Sequence, residues 1–175
     1  MEELILVDEN DNAIGTIEKM EAHRKGLLHR AFSILVFNSK GQLLLQKRSW
    51  KKYHSGGLWT NTCCSHPRPG EDMQQAIRRK LKQEMGIDVE PEFSHKFIYQ
   101  ADLGHNLTEH EYDHVYTGRY DGEPIINLDE VEEWRFEDLP ALRDAIRKSP
   151  QDFTYWFRLI INHPSFAGVE QQNKA

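Results

Sequence analysis

Cys64 and His66 stand two residues apart, so an extended backbone directs both side chains to one side and sets a thiol beside an imidazole. Such a pair can move protons or hold a metal, although a short Cys-x-His equally suits a small buried thiol beside an ordinary histidine. Glycines and prolines on both sides (Gly56, Gly57, Pro67, Pro69, Gly70) make this a constrained loop of the kind that carries function. Glu109, Glu111 and Asp113 alternate, and on a strand their carboxylates share a face where like charges repel unless a cation joins them. The opposite face would carry His110, Tyr112 and His114, which could itself ligate a metal, and spacing does not choose between the two sets. His23 and His29 share one segment, but in a chain with nine histidines this gives them no role by itself. Tyr99, in a strand-like run, and Trp156, on an apolar helical face, read first as core residues.

The elements that must position these groups are legible in outline. Residues 4–7 and 14–17 flank a run of turn formers and predict an opening hairpin, followed by an irregular connection over 18–31. Residues 32–37 and 42–48 predict a second hairpin around the turn 38–41. The stretch 51–70 predicts a structured loop crossed by a short extended piece near 59–66. Met73, Ala76, Ile77, Leu81 and Met85 follow helical spacing, with Asp72 and Gln75 as a capping pair and Gly86 as the stop. Strands are expected at 97–100 and 111–120, around a loop holding Gly104 and Asn106, and a helix at 140–148. Asp152 is expected to cap a last helix in which Phe153, Trp156, Phe157 and Ile160 share a face.

The chain has 175 residues, enough for a single domain (1–175) with a core, and residues 165–175 read as a loose tail. Apolar runs such as residues 34–37 are too short to cross a bilayer, and the start, with Glu2 and Glu3, is not a basic, apolar leader. The two adjacent cysteines cannot close an ordinary disulfide loop, so a reducing, cytoplasmic setting is expected. A net charge of −6 disfavours nonspecific adhesion to nucleic acid. Two basic clusters (Lys47, Arg48, Lys51, Lys52; Arg78, Arg79, Lys80, Lys82) nevertheless point to a small anionic ligand, against the plainer reading of a solvated face. The mostly acidic stretch 109–138 and the rest of the acidic C-terminal half read mainly as solvated surface.

Taken in order, residues 23–33 (HRKGLLHRAFS), 59–67 (WTNTCCSHP), Glu109-His110-Glu111 and the aromatic helix around Trp156 resemble the type I isopentenyl diphosphate isomerases, which belong to the Nudix fold. The resemblance spans most of the chain. It implies an α/β fold, a Nudix-type α/β/α sandwich in which helices cover a mixed β-sheet. The Nudix helix signature can be laid over residues 65–87, where Glu71, Arg79, Leu81, Glu84, Gly86 and Ile87 fit. Ser65 replaces its glycine, however, and Lys80 and Gln83 replace two glutamates of the cluster with which a hydrolase holds its metals. The fold is therefore implied without the diphosphate cleavage.

What the resemblance implies is interconversion of isopentenyl and dimethylallyl diphosphate through a tertiary carbocation. Cys64 and Glu111 would exchange protons on either side of the substrate, Tyr99 would hydrogen-bond to the acid site and relay the proton, and Trp156 would turn its π face to the cation. His23, His29, His66, Glu109 and Glu111 would form a metal site suited to Mn2+, Mg2+ or Zn2+. Glu84 would help hold Mg2+ through the substrate's diphosphate, which Lys19, Arg48, Lys52 and Lys80 would contact. The expected partner is that small diphosphate, with no nucleic acid and no membrane, and the expected state is a monomer or weak homodimer. Two other readings are a Nudix hydrolase of a nucleoside or sugar diphosphate and a non-catalytic metal-binding domain.

Overall fold

A computed structural model describes residues 2–166, and these contain nine strands and four α-helices. β1 (Glu3–Val7) and β2 (Ala13–Glu18) form the opening hairpin, closed by Asp8, whose carboxylate accepts from the backbone of Asn10 and Asn12. The expected irregular connection is instead α1 (Lys19–Lys25), with Glu18 as its cap and Gly26 in the left-handed conformation at its end. Its pattern was not legible because its buried face consists of Ala22 and His23 rather than an apolar stripe. β3 (His29–Phe37) and β4 (Leu43–Arg48) follow, but they pair only at Phe37 and Leu43 and then splay apart, so the expected second hairpin is closed only at its turn.

Splaying frees the edges of β3 and β4 for other strands. The constrained loop supplies β5 (Trp59–Thr60), which pairs with β4, and β6 (Cys63–Ser65), which pairs with β3. α2 (Met73–Met85) has the full capping box of Asp72 and Gln75 and ends at Gly86. β7 (Glu92–Gly104) and β8 (Leu107–Arg119) make one long hairpin, extending well beyond the strands expected there, and β8 lies parallel along all of β3. β9 (Val131–Glu137), within the stretch expected to be solvated, pairs with β4. α3 (Leu139–Lys148) begins one residue before expectation. α4 (Tyr155–Asn162) is capped by Thr154, not Asp152, because Phe153 is held extended in a bridge to Trp59 and Thr154 N–H donates to the Trp59 carbonyl.

The result is one mixed sheet with helices against both faces. Odd-numbered β3 positions Leu35 and Phe37 join a core with α3 and α4, and even-numbered Phe32, Ile34 and Val36 join a second core with α2. Phe166, expected in a loose tail, is buried in the first core, while residues 167–175 lie outside the described residues. Among the described residues, no helix is long and apolar enough to cross a membrane.

Gly86 combines two constraints. Its φ is +65°, and a Cβ there would stand 2.8 Å from the Ile125 carbonyl oxygen. Gly86→Ala should therefore destabilise the domain by about 1–3 kcal/mol in urea denaturation, and an unchanged midpoint would show that the cap does not anchor α2 to the 125–127 segment.

Candidate active site

β3 organises the site because its neighbours meet it in fixed register on both edges. On one edge, parallel pairing sets Glu111 of β8 beside His29, and Glu111 in turn faces Tyr99 of β7. On the other edge, antiparallel pairing sets Cys64 of β6 beside Ser33. Paired residues share a face of a sheet, and His29 and Ser33 lie on the same side of β3. The thiol and the carboxylate therefore rise on one face from opposite flanks of one strand. α4 adds Trp156 and α1 adds His23, both buried.

Ligating atoms of His23, His29, His66 and Glu109 all lie within 4.8 Å of one another. The Nδ1 atoms of His23 and His29 lie 2.7 and 2.9 Å from the carbonyls of Lys19 and Leu27, so they carry hydrogen and leave Nε2 turned inward. There, His23 Nε2 stands 2.6 Å from Glu109 Oε1, a buried oxygen that nonetheless makes no well-directed hydrogen bond. Glu111 lies outside this tight set, but its Oε2 is 2.8 Å from His66 Nε2 and 3.3 Å from His29 Nε2. Imidazole lone pairs and carboxylate oxygens facing one another require a proton or a metal cation between them. This donor set fits a divalent ion.

The carboxylate of Glu111 is divided between two tasks. While Oε2 faces the histidines, Oε1 accepts from the Tyr99 hydroxyl at 2.5 Å. Burial opposes ionisation of Glu111, but hydrogen bonds from His29 and His66 outweigh it and hold the group well below the usual carboxylate range. Burial acts the same way on the other flank but prevails there, pushing the Cys64 thiol up to about 12 despite Arg48 nearby. Tyr99 is likewise pushed well above the phenol range by burial and by Glu111. At neutral pH the site thus holds a protonated thiol and phenol and an ionised carboxylate.

The expected diphosphate contacts line the same pocket as Cys64, Glu111 and Trp156. Lys19 pairs with Glu2 at 3.2 Å, Lys80 with Glu84 at 3.0 Å, and Lys52 with Glu130. Among the described residues, Arg48 has no carboxylate partner. Its guanidinium lies 5.2 Å from the Trp156 ring centre, donates to the His54 carbonyl at 3.2 Å and reaches Cys64 Sγ at 4.0 Å. Each basic cluster divides: Lys47, Lys51, Arg78 and Arg79 pair elsewhere, with Glu133, Asp129, Glu90 and Glu71 respectively. The rival metal face is also accounted for. His110 faces the Gly26 carbonyl and His114 pairs with Asp11, both away from the site.

Four site residues had no signal in the sequence. The Tyr53 hydroxyl is 3.2 Å from His23 Nε2, and His54 Nε2 is 3.6 Å from Glu109 Oε2 with its ring edge-on to Trp156. Burial, with Arg48 and His23, pushes His54 down to about 2, so it stays neutral. Glu2 and Glu130 complete the acidic lining. All four sit in irregular segments or at element ends, where no periodicity marks them.

A NUDIX domain model matches residues 27–157. Isopentenyl-diphosphate Delta-isomerase 2 of Photorhabdus laumondii is 54% identical over 96% of this chain and 95% of its own length. The isopentenyl-diphosphate Delta-isomerase of Serratia proteamaculans is 49% identical over 91% of this chain and 89% of its own. The chain belongs to this Nudix isomerase family. Among solved structures, DR0079 of Deinococcus radiodurans superposes with a TM-score of 0.69 over 99% of this chain and 98% of that one, at 20% identity, a likeness of fold.

If the inward nitrogens and oxygens hold a cation, adding divalent metal to chelator-treated protein should raise its melting temperature, and Glu109→Gln should remove most of that rise. The rise should shrink as pH falls, because protons compete for Nε2. Glu109 and Glu111 outweigh burial and raise the pKa values of His23 and His29, so competition should begin above the ordinary value of 6.5. A rise unaffected by Glu109→Gln would place the metal elsewhere.

Proposed function

We propose that this chain interconverts isopentenyl and dimethylallyl diphosphate, with Cys64 and Glu111 as the two proton-exchanging groups. The supporting observation is the thiol of Cys64 and the carboxylate of Glu111 projecting onto one face from opposite flanks of β3. Moving a double bond requires adding a proton at one carbon and removing one from another, and an alkene is too weak a base to be protonated without a positioned acid in a dry pocket. One of the two donates and the other accepts, and the roles exchange with the direction of reaction. The reverse reaction starts from the swapped pair, as microscopic reversibility requires. Arg48, 4.0 Å from Sγ, stabilises the thiolate left after donation. Tyr99 holds Glu111 Oε1 in place and offers a hydroxyl through which its proton can be relayed.

Between the two groups the substrate carries a tertiary cation, and Trp156 presents a π face worth about 2 kcal/mol when water is excluded. Lys19, Arg48, Lys52 and Lys80 bind the diphosphate and keep the hydrocarbon in register with the proton-exchanging atoms. His23, His29, His66, Glu109 and Glu111 would be the donor set for Mn2+, Mg2+ or Zn2+, and Glu84 would help hold Mg2+ brought with the diphosphate. When bound, such an ion supplies fixed positive charge that orients Glu111 and offsets its burial. Hydrolysis is disfavoured because Lys80 stands where the hydrolase signature has a glutamate and takes Glu84 as its own partner.

Incubation with isopentenyl diphosphate and divalent metal in heavy water should yield deuterated dimethylallyl diphosphate without phosphate release, and absence of both product and exchange would refute the assignment. Cys64→Ala and Glu111→Gln should each lower turnover by about a hundred- to ten-thousand-fold. Cys63→Ala should retain most activity, because Cys63 is fully buried in the other core. Equal losses in the two cysteine variants would remove the role given to Cys64.

A further inference from the structure

Three of the four cations proposed to bind diphosphate are already neutralised. Lys19, Lys52 and Lys80 are paired with Glu2, Glu130 and Glu84, whereas among the described residues Arg48 has no carboxylate partner. Of these acids, Glu84 has a place in the reading above, but Glu2 and Glu130 do not. Neither is an incidental surface contact. The Glu2 carbonyl accepts from Lys19 N–H at 2.9 Å, and the Glu130 carbonyl accepts from Ser49 N–H at 3.0 Å, so each acid is tied through the backbone to the segment that carries its lysine. Both line the pocket and reach the groove beyond Lys80.

The consequence is a charge balance. The four cations and the three carboxylates paired with them leave this wall with a surplus of one positive charge, while Glu109 and Glu111, which line the same pocket, face the histidines instead. A single phosphate monoester already carries about −1.5 to −2 at neutral pH, and a diphosphate carries more. Bare diphosphate would therefore bring an excess of negative charge into a half-buried site, whereas its complex with a divalent cation would come close to neutrality there.

We propose that Glu2 and Glu130 are specificity-determining residues that make the site select cation-complexed diphosphate over bare diphosphate. This rests on the diphosphate site proposed above. Each carboxylate removed adds one positive charge to the wall, which favours the more negative, bare ligand more than its complex. The selectivity therefore resides in the acids and not in the lysines.

The test uses inorganic pyrophosphate as probe, with chelator-treated protein, and calorimetry with and without magnesium. The quantity read is the ratio of the two dissociation constants, in which the unaltered His/Glu site cancels between variants. In Glu2→Gln and Glu130→Gln this ratio should fall by about fivefold each relative to the unsubstituted protein, mainly through tighter binding of bare pyrophosphate. Glu133→Gln, which frees the surface residue Lys47, should leave it unchanged. Ratios unchanged in both variants, while the unsubstituted protein binds the magnesium complex, would overturn the role of Glu2 and Glu130 alone. An equal fall in Glu133→Gln would reduce the effect to net charge and overturn it too. Failure of the unsubstituted protein to bind pyrophosphate in either condition would overturn the diphosphate site itself.

Discussion

The parallel pairing of β3 with β8 is the constraint on which the site depends. It runs from His29 beside Glu111 to Phe37 beside Arg119, and the same face of β3 receives Cys64 from β6. Because side chains alternate, a slip of one residue would turn Glu109 and Glu111 away from the histidines and bring His110 and Tyr112 in their place. Burial on both faces of β3 fixes that register. Leu35 and Phe37 belong to one core and Phe32, Ile34 and Val36 to the other, so a slipped strand would exchange residues between the two cores. Apolar packing in the far half of the strand thereby sets the position of charged groups in the near half.

That arrangement is costly without charge compensation. His23, His29, Glu109 and Glu111 are all buried, and ions removed from water regain their solvation only through partners. The partners are mutual, and they face one another with too few hydrogens to satisfy every lone pair. Burial raises the proton affinity of both Cys64 and Glu111: at Cys64 it prevails, whereas the imidazoles around Glu111 overcome it and favour the ionised form. Two groups with separated proton affinities, held on a common face, follow from one low-dielectric environment and from which neighbours each group has.

How much of this was legible depended on whether a feature is local. α2 could be read because its apolar spacing, capping box and terminal glycine all lie within fifteen residues of each other. α1 could not, since its inward residues are an alanine and a histidine, and the cap of α4 was misplaced because Phe153 is held extended by Trp59, far away in sequence. The alternation Glu109, Glu111, Asp113 correctly grouped three acids on a face, yet only β8 lying beside β3 decides that this face is the inner one. The resemblance supplied the residues with a familiar spacing. Glu2, Glu130, Tyr53 and His54 acquire their positions from tertiary contacts and carried no such mark.

The helix α2 shows how a small change of residue type can redirect a site without altering the fold. Lys80 and Glu84 are one turn apart, so a lysine at the first position necessarily meets the glutamate at the second, here at 3.0 Å. Two acids in that geometry would repel until metal joined them, which suits a helix that gathers cations for hydrolysis. A lysine and an acid instead satisfy each other and leave a surface whose balance an arriving anion can disturb. Burial reinforces the exchange: it opposes charge on Lys80, while Glu84 and other nearby groups more than restore it, so the lysine stays protonated inside the wall. The helix keeps its cap, its apolar face and its place against β6, and only the sign of the charge it turns toward the pocket differs. Anchoring a diphosphate and cleaving one are thus separated by side-chain charge on an unchanged scaffold.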